Sequence, residues 1–129
     1  AQNNFKKLGL RDIKIAAVNW LESIGTETFD CIVANPPYVG EQESNIIDRE
    51  IYFEPTSAIF SGKDGLEAVT IIVRDAYRCL RHGGVLTVEH GYSQGKKIQE
   101  LLKLRGFTRL NTIKDLGRRE RVTYGIKVK

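Results

Sequence analysis

Residues 29–38 read Phe-Asp-Cys-Ile-Val-Ala-Asn-Pro-Pro-Tyr, and this stretch decides the fold prediction. Its first six residues, Phe29–Ala34, are largely apolar and include β-branched side chains, which is typical of a buried strand. The strand leads directly into Asn35–Tyr38, where two prolines prevent further strand pairing. Open α/β sheets bind their ligands at the carboxyl ends of strands, so the sequence predicts a functional site in this loop.

The rest of the chain alternates between helical and strand patterns, which predicts an α/β fold with a largely parallel sheet. Apolar residues at three- and four-residue spacing predict helices over Gly65–Leu80, closed by Gly83 and Gly84, and over Ser93–Arg105. A further helix is expected over Gln2–Leu8. Strands are predicted over five ranges: Ile13–Val18, Phe29–Ala34, Val85–Glu89, Phe107–Lys114 and Val122–Val128.

Composition narrows the class of protein. A chain of 129 residues suffices for one small domain, and its 41% hydrophobic and 28% charged residues are typical of a soluble globular protein. No apolar run approaches the roughly 18 residues that cross a bilayer, and the N-terminus lacks a signal-peptide core, so a cytoplasmic protein without a membrane partner is expected. Cys31 and Cys79 have no metal-ligand spacing; both are expected in the core, and no metal is expected.

The chemistry of the loop follows from its residue types. Proline has no N–H, so the loop offers carbonyl acceptors, and the side-chain oxygen of Asn35 joins the carbonyl of Pro36 as a rigid acceptor pair. Such a pair matches the two hydrogens of a planar NH₂ group and favours the positive charge that develops as its nitrogen attacks a methyl sulfonium. Tyr38 is expected to cover the flat face of the amide or base and exclude water. The alternative is a Pro-Pro turn capped by Asn35, without chemistry.

With these residues in view, the sequence resembles the release-factor glutamine methyltransferases, the HemK/PrmC family, over essentially its whole length. The resemblance implies a class I S-adenosylmethionine-dependent methyltransferase with a Rossmann-like α/β fold. It places residues 1–129 as the C-terminal portion of a single catalytic domain, without that domain's N-terminal strands and Gly-rich turn. The matching elements are Asn19-Trp20, Phe29-Asp30 leading to Asn35–Tyr38, Phe53-Glu54-Pro55, Gly62, Gly65-Leu66, Glu89-His90-Gly91, and Asp115 followed by Arg121-Val122.

The resemblance also implies a reaction. The family uses S-adenosylmethionine to methylate N5 of the glutamine in the Gly-Gly-Gln motif of peptide chain release factors. By this resemblance Asn35, Pro36 and Tyr38 are catalytic, and Pro37 joins them in binding the glutamine. Trp20 would line the adenine side of the donor pocket with Asn35, and Asn19 stands where the family usually has an aspartate facing the adenine amino group. Without the Gly-rich turn, the isolated chain is expected to be inactive.

Two other functions stay open at this point. The acceptor pair could hold a flipped base, as in a DNA adenine or RNA guanine amino-methyltransferase. The chain could also be a non-catalytic fragment that docks a partner. Between Gly40 and Glu54 the sequence has five acidic residues against the single base Arg49, an acidic rim that would repel a phosphate backbone. A release factor is therefore the expected partner, and direct nucleic-acid binding is not expected.

Overall fold

A computed structural model describes residues 2–9, 12–38 and 65–128. Phe53-Glu54-Pro55, Gly62 and the acidic rim lie outside the described residues, so the interpretations that rest on them stay predictions. The elements follow in chain order: helix α1 Gln2–Lys7, strand β1 Phe29–Ala34, helix α2 Glu67–Cys79, strand β2 Leu80–Glu89, helix α3 Gly95–Arg105, strand β3 Phe107–Lys114 and strand β4 Glu120–Lys127.

The four strands form one sheet in the order β1-β2-β4-β3. Strand β1 pairs with β2 in parallel, with Ile32 opposite Leu86, whereas β4 is antiparallel to both of its neighbours. The predicted α/β class is confirmed. The prediction of a largely parallel sheet is wrong, since only one of these three pairings is parallel. The short turn between β3 and β4 allows only a hairpin, and β4 therefore inserts antiparallel between β2 and β3.

Helices α2 and α3 cover one face of this sheet and enclose the core. The apolar stripe predicted for α2 is the face that packs on the strands, and α3 places Ile98 and Leu102 beside it. The core joins both helices to three of the strands: Ile32, Val69, Ile72, Val73, Ala76, Cys79, Leu80, Leu86, Val88, Ile98, Leu102 and Phe107. This packing fixes β1 and β2, the two strands whose carboxyl ends carry the predicted site.

The strand predicted over Ile13–Val18 is wrong, because this segment has no regular secondary structure. Its apolar side chains are exposed, and none of the described strands pairs with it. A β-branched run is stable as a strand only when a neighbouring strand accepts its hydrogen bonds and side chains. Periodicity alone could not supply that information.

The prediction that Gly83 and Gly84 cap a helix is also wrong. Helix α2 ends at Cys79, and Leu80 is already extended and buried, so both glycines lie inside β2. Gly84 allows β1 to approach closely, because a Cβ on it would lie 3.2 Å from the carbonyl oxygen of Asp30 on β1 and 2.8 Å from that of Arg81. Gly83 has a φ of +78°, which glycine adopts without strain. The register between β1 and β2 is irregular at this point, which the glycines permit.

The two cysteines have different environments. Cys79 is fully buried in the core, as predicted, whereas Cys31 is exposed on β1 and the prediction for it is wrong. Strand β1 lies at an edge of the described sheet, and Cys31 shares its outward face with Val33, which is 77% exposed. No helix within residues 2–9, 12–38 and 65–128 combines the length and apolar character needed to cross a membrane.

Helix α3 offers a direct test of this packing. Leu102 is 0% exposed and Leu104 is 86% exposed, although both are leucines on one helix. In the whole protein we expect Leu102→Ala to lower the free energy of unfolding by about 2–5 kcal/mol, because it leaves a cavity in the core. Leu104→Ala should change it by less than about 0.5 kcal/mol. Urea unfolding measures both values, and equal losses would contradict the described face of α3.

Candidate active site

A cavity of about 190 Å³ lies at the carboxyl end of β1. It brings together Trp20 and Asn35, which are predicted site residues from different segments of the chain. The walls are mostly apolar, as is typical of pockets that hold a flat organic ring with a few polar contacts at its edge. The lining residues are Trp20, Leu21, Ile32, Val33, Ala34, Asn35 and Ile72.

Trp20 has an unusual backbone conformation. Its φ is +53°, in the left-handed region, where a non-glycine residue costs about 1–2 kcal/mol. The turn that holds it is closed by hydrogen bonds from the Glu22 N–H to the Asn19 carbonyl (3.2 Å) and from the Ile24 N–H to the Leu21 carbonyl (3.1 Å). Residues strained in this way cluster at ligand sites, where the surrounding structure holds them. The strain is consistent with a functional orientation of the indole ring.

Arg78 contributes much of the bonding that keeps the Trp20 turn in this conformation. From the last turn of α2 its guanidinium donates to the carbonyls of Leu21 (2.9 Å), Glu22 (3.5 Å) and Ile24. A planar guanidinium can serve several carbonyls at once, which a lysine cannot do in the same geometry. The helical pattern of the sequence places Arg78 in the last turn of a helix, where a basic residue is common, so the pattern did not identify this role.

The thiol of Cys79 lies below the same turn. Its Sγ is 3.9 Å from the Leu21 carbonyl oxygen and 3.8 Å from that of Ile24. Burial raises the pKa of the Cys79 thiol, so the group stays protonated at neutral pH and can donate weakly to these carbonyls. Cys79 therefore supports the turn as a thiol and is not placed to act as a nucleophile.

Asn19 does not reach the cavity with Trp20. It is exposed, is absent from the cavity lining, and contributes its backbone carbonyl to the turn. Its predicted contact with an adenine amino group stays a prediction.

The Asn35–Tyr38 loop lies between this cavity and the loop after β2. Asn35 is exposed, Pro36 is buried, and Pro37 and Tyr38 are half-buried. The Tyr38 carbonyl accepts a hydrogen bond from Nε2 of Gln94 at 2.9 Å. A Cβ on Gly91 would lie 3.6 Å from Cδ2 of Tyr38, so an edge of the ring lies beside this glycine. Gln94 is a second residue that sequence reasoning missed; it follows Glu89-His90-Gly91 by only a few positions.

His90 is a buried structural residue, 1% exposed. Its Nε2 is 2.8 Å from Oγ1 of Thr123, and its Nδ1 is 2.8 Å from the carbonyl oxygen of Gly91. The chain of hydrogen bonds continues from Thr123 to Thr112 (2.8 Å), which accepts from the amide of Gln99 (2.7 Å). One end of this chain is the Gly91 carbonyl, which only accepts, and the other is the Gln99 amide N–H, which only donates. These two ends fix the direction of the hydrogen bonds between them and place the imidazole hydrogen on Nδ1. His90 therefore supports the Gly91 loop.

Asp115 and Arg121 brace the same loop from the hairpin. The Asp115 carboxylate accepts from the Arg119 N–H (3.0 Å) and from Nε of Arg121 (3.4 Å), and these donors hold the pKa of Asp115 below its ordinary value. Arg121 also donates to the carbonyl of His90 at 3.3 Å. Asp115 and Arg121 thus connect the β3–β4 turn to the site. Among the described residues, no group of three or more histidine, cysteine, aspartate or glutamate side chains could hold a metal ion.

Comparison with known proteins identifies the family to which this chain belongs. The model of the Eco57I restriction-modification methylase family matches residues 1–122. The release factor glutamine methyltransferase of Pseudomonas aeruginosa is 38% identical over 125 residues, 97% of this chain, which confirms the resemblance drawn from the motifs. The chain spans 45% of that protein's length.

Two solved structures share the fold. The E. cuniculi Mtq2–Trm112 complex, described as responsible for methylation of the eRF1 translation termination factor, has 25% identity and a TM-score of 0.60, over 96% of this chain and 68% of that one. The S-adenosylmethionine-dependent methyltransferase SibL has 14% identity and a TM-score of 0.61, over 99% of this chain and 40% of that one. The described residues therefore have the Rossmann-like fold of S-adenosylmethionine-dependent methyltransferases.

The hold of Arg78 on the Trp20 turn can be measured in the whole protein. We expect Arg78→Ala to speed hydrogen exchange at the Glu22 and Ile24 amides by about tenfold or more, because hydrogen bonds from a charged donor are lost. Arg81→Ala is the matched control: Arg81 reaches Asp30 and the Glu27 carbonyl and does not touch residues 19–24. Equal exchange in both variants would show that Arg78 does not hold the turn.

Proposed function

Because this chain belongs to the Eco57I restriction-modification methylase family, we propose that the whole protein is an S-adenosylmethionine-dependent methyltransferase. We further propose that it methylates N5 of the glutamine in the Gly-Gly-Gln motif of a peptide chain release factor, and that residues 1–129 form part of its catalytic domain. A cytoplasmic location belongs to the same proposal. The observation that carries it is the cavity that unites Trp20 with Asn35, immediately before Pro36-Pro37-Tyr38.

The cavity fits the base of the methyl donor. Adenine is a flat ring with apolar faces, and the walls offer an indole and several aliphatic side chains. Trp20 and Leu21 would contact the base from the strained turn, and Ile72 from α2. Bound S-adenosylmethionine supplies a methyl group activated by its positive sulfur. The residues of this chain orient the acceptor, exclude water and stabilise developing charge.

Asn35 and Pro36 would orient the acceptor nitrogen. Asn35 lines the cavity and is exposed, so its side-chain oxygen can face an incoming amide, while the Pro36 carbonyl follows in a rigid backbone. Two acceptors on one NH₂ group fix its plane and stabilise positive charge on the nitrogen as the methyl group is transferred. The alkylated nitrogen then loses a proton to water. Tyr38 and Pro37 would enclose the amide.

The substrate assignment is supported by the relatives and by charge. The matched Pseudomonas aeruginosa protein is named a release factor glutamine methyltransferase, whereas the family model carries the name of a restriction-modification methylase. The acidic sequence of residues 40–54, with five carboxylates against the single base Arg49, favours a peptide over a phosphate backbone. On this basis we propose that the protein does not bind nucleic acid directly. DNA adenine or RNA guanine methylation is the alternative outcome of the substrate test.

Asn35→Ala tests the acceptor pair. In the whole protein we expect kcat to fall by about 10²–10³, the range for losing one positioned group opposite developing charge. Donor affinity should change by less than about threefold, because the other cavity walls remain. Asn111→Ala, at an exposed position on β3, is the matched control and should leave kcat unchanged. A single-turnover rate of Asn35→Ala close to wild type would rule out the assigned role.

Transfer of labelled methyl groups tests the substrate. The whole protein should label a release factor and lose that activity when the glutamine of its Gly-Gly-Gln motif is replaced by alanine, since the NH₂ acceptor is then absent. DNA and RNA should stay unlabelled under the same conditions. Labelled nucleic acid with an unlabelled release factor would replace the glutamine assignment with the nucleic-acid one.

A further inference from the structure

Three segments that are distant in sequence meet at the carbonyl of Tyr38. The acceptor loop supplies the carbonyl itself, Gln94 donates to it from the start of α3, and Gly65 packs against it just before α2. Tyr38 is thus held through its main chain, by residues that do not line the donor cavity. None of the residues that line that cavity belongs to the Gly91–Gln94 turn.

Gln94 uses both ends of its side-chain amide. Oε1 accepts from the Gly91 N–H at 3.0 Å, and Nε2 donates to the Tyr38 carbonyl at 2.9 Å. Its backbone N–H also closes the turn onto the Gly91 carbonyl at 2.9 Å. The residue is 7% exposed, so water does not readily replace these bonds. Only a side chain with both a donor and an acceptor at this length can join the two loops.

Gly65 leaves no room for Tyr38 to move on the other side. Its φ is +65°, and a Cβ there would lie 2.2 Å from the Tyr38 carbonyl oxygen and 2.9 Å from Nε2 of Gln94. The hydrogen bond and the close approach therefore act on the same peptide group. Together they restrict the position of this peptide group relative to Gly91, which Gln94 also binds.

We propose that Gln94 is a positioning residue for the methyl acceptor. Its amide fixes the main chain of Tyr38 relative to the Gly91 loop, and with it the position of the Asn35–Tyr38 loop that would hold the acceptor. Loss of this hydrogen bond weakens binding and orientation of the acceptor and leaves donor binding intact, because the donor cavity has other walls. The proposal rests on the proposed function for what the Asn35–Tyr38 loop binds, and on the hydrogen bonds alone for the anchoring.

Gln94→Glu isolates the bond to Tyr38. The variant keeps an oxygen for the Gly91 N–H, but places a carboxylate oxygen against the Tyr38 carbonyl in place of a donor. We expect kcat/KM for the release factor to fall by about tenfold or more, mainly through KM, as for a buried acceptor left unsatisfied. The Kd for S-adenosylmethionine should stay within about twofold, since the cavity contacts are retained. Gln94→Asn, which keeps both polar groups but is one methylene shorter, should show the same pattern.

Asn111→Asp is the matched control. It makes the same exchange of amide for carboxylate at an exposed position on β3, outside the hydrogen bonds that join Tyr38, Gln94 and the Gly91 loop. We expect its KM for the release factor to stay near that of wild type. Thermal unfolding of all three variants separates loss of stability from loss of positioning.

Hydrogen exchange across Tyr38 gives a readout that does not depend on the substrate. The segment that contains Tyr38 should exchange faster in Gln94→Glu and Gln94→Asn, and not in Asn111→Asp. Faster exchange in the Gln94 variants, with no release-factor methylation by the wild-type protein, would refute the proposed function but support the anchoring of Tyr38 by Gln94. Unchanged exchange in the Gln94 variants, or a KM shift as large in Asn111→Asp, would refute the positioning role of Gln94.

Discussion

The parallel pairing of β1 with β2 is the constraint on which the site depends. It aligns Ala34 with Val88 and therefore places the residues that follow each strand side by side. The Asn35–Tyr38 loop leaves one strand, and the His90-Gly91 loop leaves the other. An antiparallel pair would put these two loops at opposite edges of the sheet. Core packing of α2 and α3 on the same face keeps this register, because Ile32, Leu86 and Val88 are buried beneath the helices.

Each side of the site is held by a polar side chain that reaches several main-chain groups. Arg78 holds the carbonyls of the turn after Trp20, and Gln94 joins Tyr38 to Gly91. Both turns need such support. The turn after Trp20 follows a non-glycine residue with positive φ, and the Gly91–Gln94 turn follows the end of β2 and has no strand pairing of its own. Charged or amide donors on buried carbonyls stabilise local backbone that secondary structure does not stabilise.

Beyond Gly91, polar side chains form a buried scaffold between β3, β4 and α3. The hydroxyl groups of Thr112 and Thr123 join the amide of Gln99 to the ring of His90, and none of the buried side-chain nitrogen or oxygen atoms in the described residues lacks a hydrogen-bond partner. A fully satisfied polar network specifies one geometry, because each partner would be costly to leave unpaired. The antiparallel hairpin thus serves the site as a support for the Gly91 loop.

The elements with local signals could be predicted from the amino-acid sequence. Phe29–Ala34 as a strand, the apolar stripes of α2 and α3, and the Asn35–Tyr38 loop could be predicted because hydrophobic period and proline chemistry act over a few residues. The sequence also identified Trp20 and Asn35, which share one cavity. The mixed sheet, the irregular Ile13–Val18 segment, and the roles of Arg78 and Gln94 depend on which segments meet in the folded chain. The bonds from Arg78 to Leu21 and from Gln94 to Tyr38 join residues more than 50 positions apart, and residue type at one position carries no information about such distant neighbours.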